Sequence, residues 1–381
     1  MVNAQLILAP VGAGKTEFVL TEIHRHYAHN PFARIWVLLA SQQQEFALRE
    51  RLFRGDSADT YFNIEFFRFS SLYQRLLDMA GKPQRLLNKQ GQVVLLRHLI
   101  GELDLPLFAP VAHTNGFVRI TENWIEELKQ NRVNADDYQR VAQSARDHDL
   151  ATIYRAYQNA LITHNLMDEE GQGWLAVEAL QHDTHLLAHA QVDVLIVDGF
   201  DQFSHTQTDL LAQLSKQVSQ LLITLTQVTG REATIGRRFS TAKTELERAF
   251  DRTDVTLSTS PIGGIATSKH RDLTHLVHSI FSRNAQKRTM GGGITFLEAP
   301  THADETASVL RHVKGLLQDG VAPEEILITV RDWEHYRRHL TAYGRKYGLP
   351  MVLHYEEPLT ETPFMMTLTA LLQLPTAQFP R

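Results

Sequence analysis

The chain opens on a short unbroken apolar run, Leu6-Ile7-Leu8. A small-residue stretch follows, Ala9-Pro10-Val11-Gly12-Ala13-Gly14-Lys15, and residues 16–23 then take up helical spacing. An apolar run of that length, bounded by turn residues, predicts a strand buried on both faces, as in a parallel sheet. The pattern repeats. Residues 34–40 (Arg-Ile-Trp-Val-Leu-Leu-Ala) predict a second buried strand, and the polar cluster at 41–49 predicts a capped helix behind it. Residues 64–69 alternate as a third strand and run into a helix capped by serine at 70–74. To this point the order is βαβαβ, hence an open parallel sheet.

From about residue 83 to 189 the strand pattern vanishes. Helical spacing dominates 90–99, 118–129, 149–165 and 171–188, punctuated by Gly116 and a turn at 134–137. This predicts an all-helical insert whose aromatics (Phe117, Trp124, Tyr154, Tyr157, Trp174) serve packing. Strand patterning resumes at 192–201, Val-Asp-Val-Leu-Ile-Val-Asp-Gly-Phe-Asp, and at 221–227. A loop-rich, partly basic stretch at 230–264 is expected to hold one helix at 241–250, with another helix at 269–282. Beyond Gly291-Gly292-Gly293 a second α/β pattern starts, with strands at 294–299 and 326–330 and helices at 303–318, 332–347 and 364–372.

The first strand, loop and helix supply the context in which a phosphate-binding loop has meaning. Gly12, Ala13, Gly14, Lys15 and Thr16 fit the end of G-x-x-x-x-G-K-[ST], although Ala9 stands where the first glycine belongs. Backbone N–H groups of such a loop, with the helix N-terminus, make an anion site. Lys15 would reach the β- and γ-phosphates, and the Thr16 hydroxyl would hold Mg²⁺. The strand ending in Asp198 suits the second Mg²⁺ contact of a nucleotide site. Hydrolysing motors often carry glutamate directly after this aspartate, and Gly199 stands there instead. Asp201 lies two residues on, along an irregular loop. Gln227, at the end of the next strand, is a candidate γ-phosphate sensor. These features predict ATP and Mg²⁺ binding with compromised hydrolysis. The predicted fold is α/β: a P-loop NTPase (RecA-like) parallel sheet with an all-helical insert, followed by a second, truncated α/β domain. The expected divisions are 1–82 and 191–290 for the sheet domain in two parts, 83–190 for the insert, and 291–381 for the start of the second domain.

Composition narrows the classes. At 381 residues, 43% hydrophobic and 21% charged, the chain resembles an ordinary globular protein of two or three domains. No apolar run approaches the ~20 residues that span a bilayer. Without cysteine there are no disulfides, thiolate zinc sites or cysteine-ligated clusters within this chain, and a reducing cytoplasm is compatible. A net charge of -5 argues against an overall basic coat for nucleic acid, leaving a local groove as the alternative. His185 and His189 have i, i+4 spacing, yet solvated histidines read better there than a metal pair.

A P-loop sheet, a helical insert before the aspartate strand and a second α/β domain resemble the layout of superfamily 1 helicases. The closer resemblance is to the AddB-type (RexB-like) subunit of bacterial ATP-dependent helicase–nucleases. It rests on Ser41-Gln42-Gln43-Gln44 and Arg68-Phe69-Ser70-Ser71-Leu72 as strand-contact motifs, on residues 149–157 with Leu166-Met167-Asp168, and on Val197-Asp198-Gly199-Phe200-Asp201-Gln202-Phe203. Residues 326–332, Gly348-Leu349-Pro350 and Leu359-Thr360-Glu361-Thr362-Pro363 resemble its second helicase-like domain. The D-G-F in place of D-E is the most telling of these. The resemblance implies a cytoplasmic subunit for processing DNA double-strand breaks in recombinational repair. In it a degenerate helicase fold holds nucleotide and guides a DNA strand over Ser41, Gln42, Arg68 and Ser70. It also implies single- or double-stranded DNA ends and an AddA-like motor helicase–nuclease subunit as partners. The family's nuclease and iron–sulfur parts have no counterpart in this sequence, which reads as an N-terminal piece of a longer protein. Two further readings stand beside this one: an active P-loop ATPase or kinase using Asp201, and a scaffold with a relict P-loop.

Overall fold

A computed structural model of the chain describes residues 3–53, 61–82, 84–228, 230–231, 234–262, 270–289, 291–354 and 359–374. The chain divides into two compact units, Met1–Gly293 and Ile294–Arg381.

The first unit is built on a sheet whose inner strands Ile35–Leu39 and Val194–Asp198 are buried along their length, and apolar apart from the Asp198 that ends the second. β1 (Asn3–Ala9) leads through the glycine loop into α1 (Lys15–His29), β2 (Ile35–Leu39) into α2 (Gln42–Phe53), and β3 (Ile64–Phe67) into α3 (Phe69–Met79). Next come the short β4 (Arg85–Leu86), α4 (Lys89–Glu102), α5 (Asn115–Gln130), α6 (Ala135–Val141), α7 (Ala145–Thr163), the short β5 (Leu166–Met167) and α8 (Glu169–His182). The sheet resumes with β6 (Val194–Asp198), α9 (His205–Leu214), β7 (Gln220–Thr226), α10 (Arg237–Asp251), β8 (Leu257–Pro261) and α11 (Arg271–Ser279). Six strands form one sheet in the order β3-β2-β6-β7-β1-β8, and every adjacent pair is parallel.

Period-two alternation sends each strand's side chains to two separate cores. Trp36 and Leu38 join Leu6, Leu8, Leu195, Val197, Leu221 and Ile223 on the face covered by α3, α8, α9 and α10. Ile35, Val37 and Leu39 join Val194 and Ile196 on the face covered by α1 and α2. Each of these fully buried aliphatic side chains contributes about 1.5–3 kcal/mol relative to exposure, which fixes the register. The helical stretch has a third core, with Leu96, Ile100, Val118, Ile125, Ile153, Tyr154 and Tyr157 at its centre. There Lys129 and Asp168 form a buried ion pair at 2.6 Å, while Asp168 also caps α8 through the Gly171 N–H at 2.8 Å.

Several boundaries differ from the sequence reading. The third strand stops at Phe67, and α3 is capped by Arg68, whose N–H donates to Ser71 Oγ at 3.0 Å; Ser70 is not the cap. Residues 134–137 are no free turn: Asn134 Oδ1 accepts the Asp137 N–H at 2.8 Å and starts α6. α8 ends at His182, so His185 and His189 sit exposed in turns beyond it. The helical stretch contains one small parallel pair, β4 with β5. The sequence pattern predicts neither β8 nor α9. β8 carries Leu-Ser-Thr-Ser-Pro on an open sheet edge and has no apolar alternation to announce it. Of the helix expected at 269–282, residue 269 lies outside the described residues and α11 covers Arg271–Ser279.

The second unit holds α12 (His302–Gln318), α13 (Trp333–Tyr347) and α14 (Pro363–Gln373). The strands expected at 294–299 and 326–330 are not formed among its described residues. Those segments run without a ladder, and Phe296 and Leu327 are 89% and 83% exposed. Without a neighbour to take up backbone N–H and C=O groups, an apolar segment does not become a strand.

Candidate phosphate and metal site

In a sheet whose strands all run the same way, every strand delivers its following loop to one edge. Ligands of open α/β sheets bind at that edge, outside the carboxyl ends of the strands. The loops after β1, β2, β3, β6 and β7 meet this condition, and the candidate residues named from the sequence lie in them, at the strand end before them or in the first turn of the helix after them.

The loop after β1 turns tightly. The Ala13 N–H donates to the Pro10 carbonyl at 3.2 Å, and Gly12 and Gly14 take the left-handed region at φ 76° and 82°. A side chain at either position would be strained. Ala9, where the motif has its first glycine, is the last residue of β1, in extended register with Thr226 and fully buried. Its backbone needs no glycine, so the departure leaves the turn intact. α1 begins at Lys15 with no side-chain cap, so no capping side chain takes up its first N–H groups. Lys15 folds over that loop, with Nζ 3.4 Å from the Pro10 carbonyl. Partial burial lowers the Lys15 pKa from its ordinary value, opposed by the Asp198 carboxylate.

Asp198 ends β6, two strands from β1, and is buried. Thr16 Oγ1 donates to Asp198 Oδ2 at 3.4 Å, bringing together the hydroxyl and carboxylate proposed for the metal. Asp198 Oδ1 accepts a short hydrogen bond from Thr224, on the intervening strand β7. One carboxylate and one hydroxyl are hard oxygen donors, and they leave the other positions of Mg²⁺ to water and phosphate. That donor set fits the ion. Among the described residues no group of three or more His, Cys, Asp or Glu side chains is arranged to hold a metal alone.

Gln227 follows β7. Its N–H donates to the Ala9 carbonyl at 2.9 Å and extends the β1–β7 ladder, leaving the residue exposed beside the glycine loop. The remaining candidates sit over adjacent strands β2 and β3. Half-buried Ser41 accepts the Gln44 N–H at 3.3 Å and starts α2, whose first residue, Gln42, is exposed. Arg68 is exposed at the head of α3, and Ser70 is half-buried in its first turn.

Two contacts that the sequence does not reveal, by Thr224 and by Gln44 of the Ser41–Gln44 motif, complete the edge. Thr224 is a fully buried hydroxyl in β7, which also carries Gln220 and Thr226, so nothing in the strand's own sequence sets it apart. Gln44 bridges the ends of β2 and β6: Oε1 accepts the Ala40 N–H at 3.1 Å, and Nε2 donates to the Gly199 carbonyl at 3.2 Å. Nothing local announces that link. Asp201 is held at 2.6 Å by Arg238 of α10. Phe200 packs edge-on against Phe69 at 5.2 Å and stacks on Phe203 at 5.2 Å. The phenylalanine of D-G-F therefore anchors the β6 loop to the start of α3.

A family model described as ADDB, N-terminal, matches residues 6–276. The chain belongs to this family. The ADDB N-terminal match spans the sheet, the helical stretch and the edge loops just described. The chain is also similar to three bacterial proteins, each named as the B subunit of an ATP-dependent helicase/deoxyribonuclease. It is 22% identical to that of Bacillus velezensis, over 95% of this chain and 33% of the relative. Identity is 24% with that of Geobacillus kaustophilus, over 97% and 34%. With that of Bacillus subtilis it is 21%, over 95% and 33%. The chain thus spans about a third of the length of these relatives. Among the described residues no helix is long and apolar enough to cross a membrane.

Proposed function

We propose that this chain is the nucleotide-binding, strand-guiding part of the B subunit of a helicase/deoxyribonuclease, in a complex that processes DNA double-strand ends for recombinational repair in the cytoplasm. It is a P-loop, RecA-like domain with a helical insert at 83–190, followed by a second helicase-like domain from 291. It binds ATP through Gly12, Ala13, Gly14, Lys15 and Thr16, with Gln227 near the γ-phosphate. Thr16 and Asp198 hold Mg²⁺, which screens phosphate charge when bound. Ser41, Gln42, Arg68 and Ser70 guide a DNA strand, and an AddA-like motor helicase–nuclease subunit supplies translocation.

The observation that carries this reading is the 3.4 Å approach of Thr16 Oγ1 to Asp198 Oδ2 beside a loop with two left-handed glycines. Residues 182 positions apart converge on one anion-accepting and cation-accepting corner. Turnover is weak or absent in this reading, because Gly199 supplies no base for water and Asp201 is engaged by Arg238.

Calorimetry with ATPγS–Mg²⁺ on wild type and Lys15→Ala, with hydrolysis measured alongside in the presence of single-stranded DNA, tests it. Binding weakened at least about tenfold in Lys15→Ala, without turnover, is the expected result. Equal binding by both proteins leaves a scaffold with a relict loop. Robust DNA-stimulated turnover replaces the reading with a working motor. For the strand, Arg68→Ala should weaken oligonucleotide binding and reduce its salt slope by about one unit. Unaltered affinity in Arg68→Ala and in Ser41→Ala/Gln42→Ala removes the groove.

A further inference from the structure

The last paired residues of β2 and β6 are Leu39 and Asp198. The β2–β6 pairing ends there, and the next residues on the two strands are Ala40 and Gly199. The Gln44 carboxamide stands between them. It accepts from Ala40 at 3.1 Å and donates to Gly199 at 3.2 Å, as an inserted peptide unit would. Its own backbone N–H is held by Ser41 Oγ at 3.3 Å, so residues 40, 41, 44 and 199 form one hydrogen-bonded knot.

Gly199 is shaped to accept this knot. Its φ is +83°, and a Cβ built there would lie 2.5 Å from Gln44 Oε1 and 2.6 Å from Nε2. The carboxamide occupies the space that a side chain at 199 would need. Asp198, one residue before Gly199, faces the metal corner; Ser41, next to Ala40, starts the helix of the proposed strand-guiding loop.

From this we infer that Gln44 is a positioning residue that couples occupation of the phosphate and metal site to the Ser41–Gln42 loop. The inference rests on the nucleotide- and strand-binding reading above. A ligand that draws Asp198 toward it carries Gly199 along. The carboxamide passes that displacement to Ala40 and to the cap of α2. By linkage the effect is reciprocal: strand binding changes nucleotide affinity by the same factor that nucleotide changes strand affinity.

The test measures affinity for a single-stranded oligo-thymidine with and without saturating ATPγS–Mg²⁺, on the full chain, for wild type, Gln44→Ala and Gly199→Ala. The two variants break one contact from opposite sides: one removes the carboxamide and the other displaces it. Wild type should show a ratio of the two affinities of about 5 or more, within the usual range of coupled sites. In both variants the ratio should fall toward one, whatever each variant does to the affinity for either ligand alone. Circular dichroism and melting establish that each variant is folded. A wild-type ratio of one, or an unchanged ratio in a folded Gln44→Ala, overturns the inference. That failure is distinct from failure of the functional reading, which shows as nucleotide binding indifferent to Lys15 or as no binding of the oligonucleotide.

Discussion

Thr224, in the middle of β7, donates its hydroxyl proton to the carboxylate of Asp198 at the end of β6. Asp198 is buried, and a buried carboxylate needs its lone pairs met. With Thr16 on the other oxygen, Thr224 fixes the rotamer that points Asp198 at the glycine loop. Thr224→Val keeps the shape and removes the donor. It should lower stability by about 1–3 kcal/mol and weaken Mg²⁺-dependent nucleotide binding, whereas Thr224→Ser should restore much of both. Urea unfolding and calorimetry with and without Mg²⁺ check this. A Thr224→Val protein with wild-type stability and Mg²⁺ dependence would show that the hydroxyl is incidental.

Placing the missing acid at 199 should not revive hydrolysis. Gly199→Glu puts a side chain into left-handed backbone, at about 1–2 kcal/mol, and drives its Cβ against the Gln44 carboxamide. The expected outcome is a less stable protein with no gain in phosphate release. Stability should recover in part when Gln44→Ala opens the space. A stable Gly199→Glu protein with DNA-stimulated turnover would refute the steric account.

Asp201→Asn separates the motor reading from the one favoured here. The Asp201 carboxylate meets the Arg238 guanidinium at 2.6 Å in a partly exposed pair, which is worth about 0–1 kcal/mol. Melting temperature and ATPγS–Mg²⁺ affinity should therefore hardly change. Turnover that is present in wild type and lost in Asp201→Asn would instead make this aspartate the catalytic base.

The glycine loop was legible because the turn, the anion site and the metal hydroxyl lie within a dozen consecutive residues. Asp198 was legible for a similar reason: a fully apolar strand ending in an acid is a local anomaly. The edge strand β8 was not, since its Ser-Thr-Ser face is solvated and leaves no burial pattern to read. α9 does carry a signal, the Ser204 and Gln207 capping box, but it lacks the long apolar stripe that would mark the helix behind it. Thr224 and Gln44 act across 26 and 155 residues, so only the strand order reveals them. In the second unit the apolar runs at 294–299 and 326–330 have strand composition but no ladder neighbour among the described residues. Composition alone does not supply one.

The Lys129–Asp168 pair predicts a sharp asymmetry between single and paired changes. Both side chains are nearly inaccessible; Asp168 also accepts from Tyr157 Oη at 3.1 Å, and burial with the Asp168 charge pushes the Tyr157 phenol pKa up. Lys129→Ala strands a carboxylate inside the helical core and should cost about 3–5 kcal/mol. Lys129→Met with Asp168→Asn keeps volume and the α8 cap while removing both charges, and should cost clearly less. Chemical denaturation of the two proteins decides it. Equal losses would mean that the pair is no more than packing.

Glu170 should make stability depend on pH near neutrality. Burial raises its pKa from 4.5 to about 7, a hydrogen bond from Gln130 opposes the shift, and the charges of Glu126, Glu169 and Asp168 add to it. The folded state therefore binds this proton more tightly than the unfolded chain does. The resulting stabilisation is full below the unfolded value of 4.5 and is lost as pH rises through about 7. Glu170→Gln removes the titration and keeps a hydrogen-bonding group beside Gln130. At pH 8 the variant should melt a few degrees above wild type, and the advantage should shrink steadily as the pH is lowered toward 4.5. A melting difference that stays constant from pH 5 to 8 would show that Glu170 titrates as an ordinary surface carboxylate.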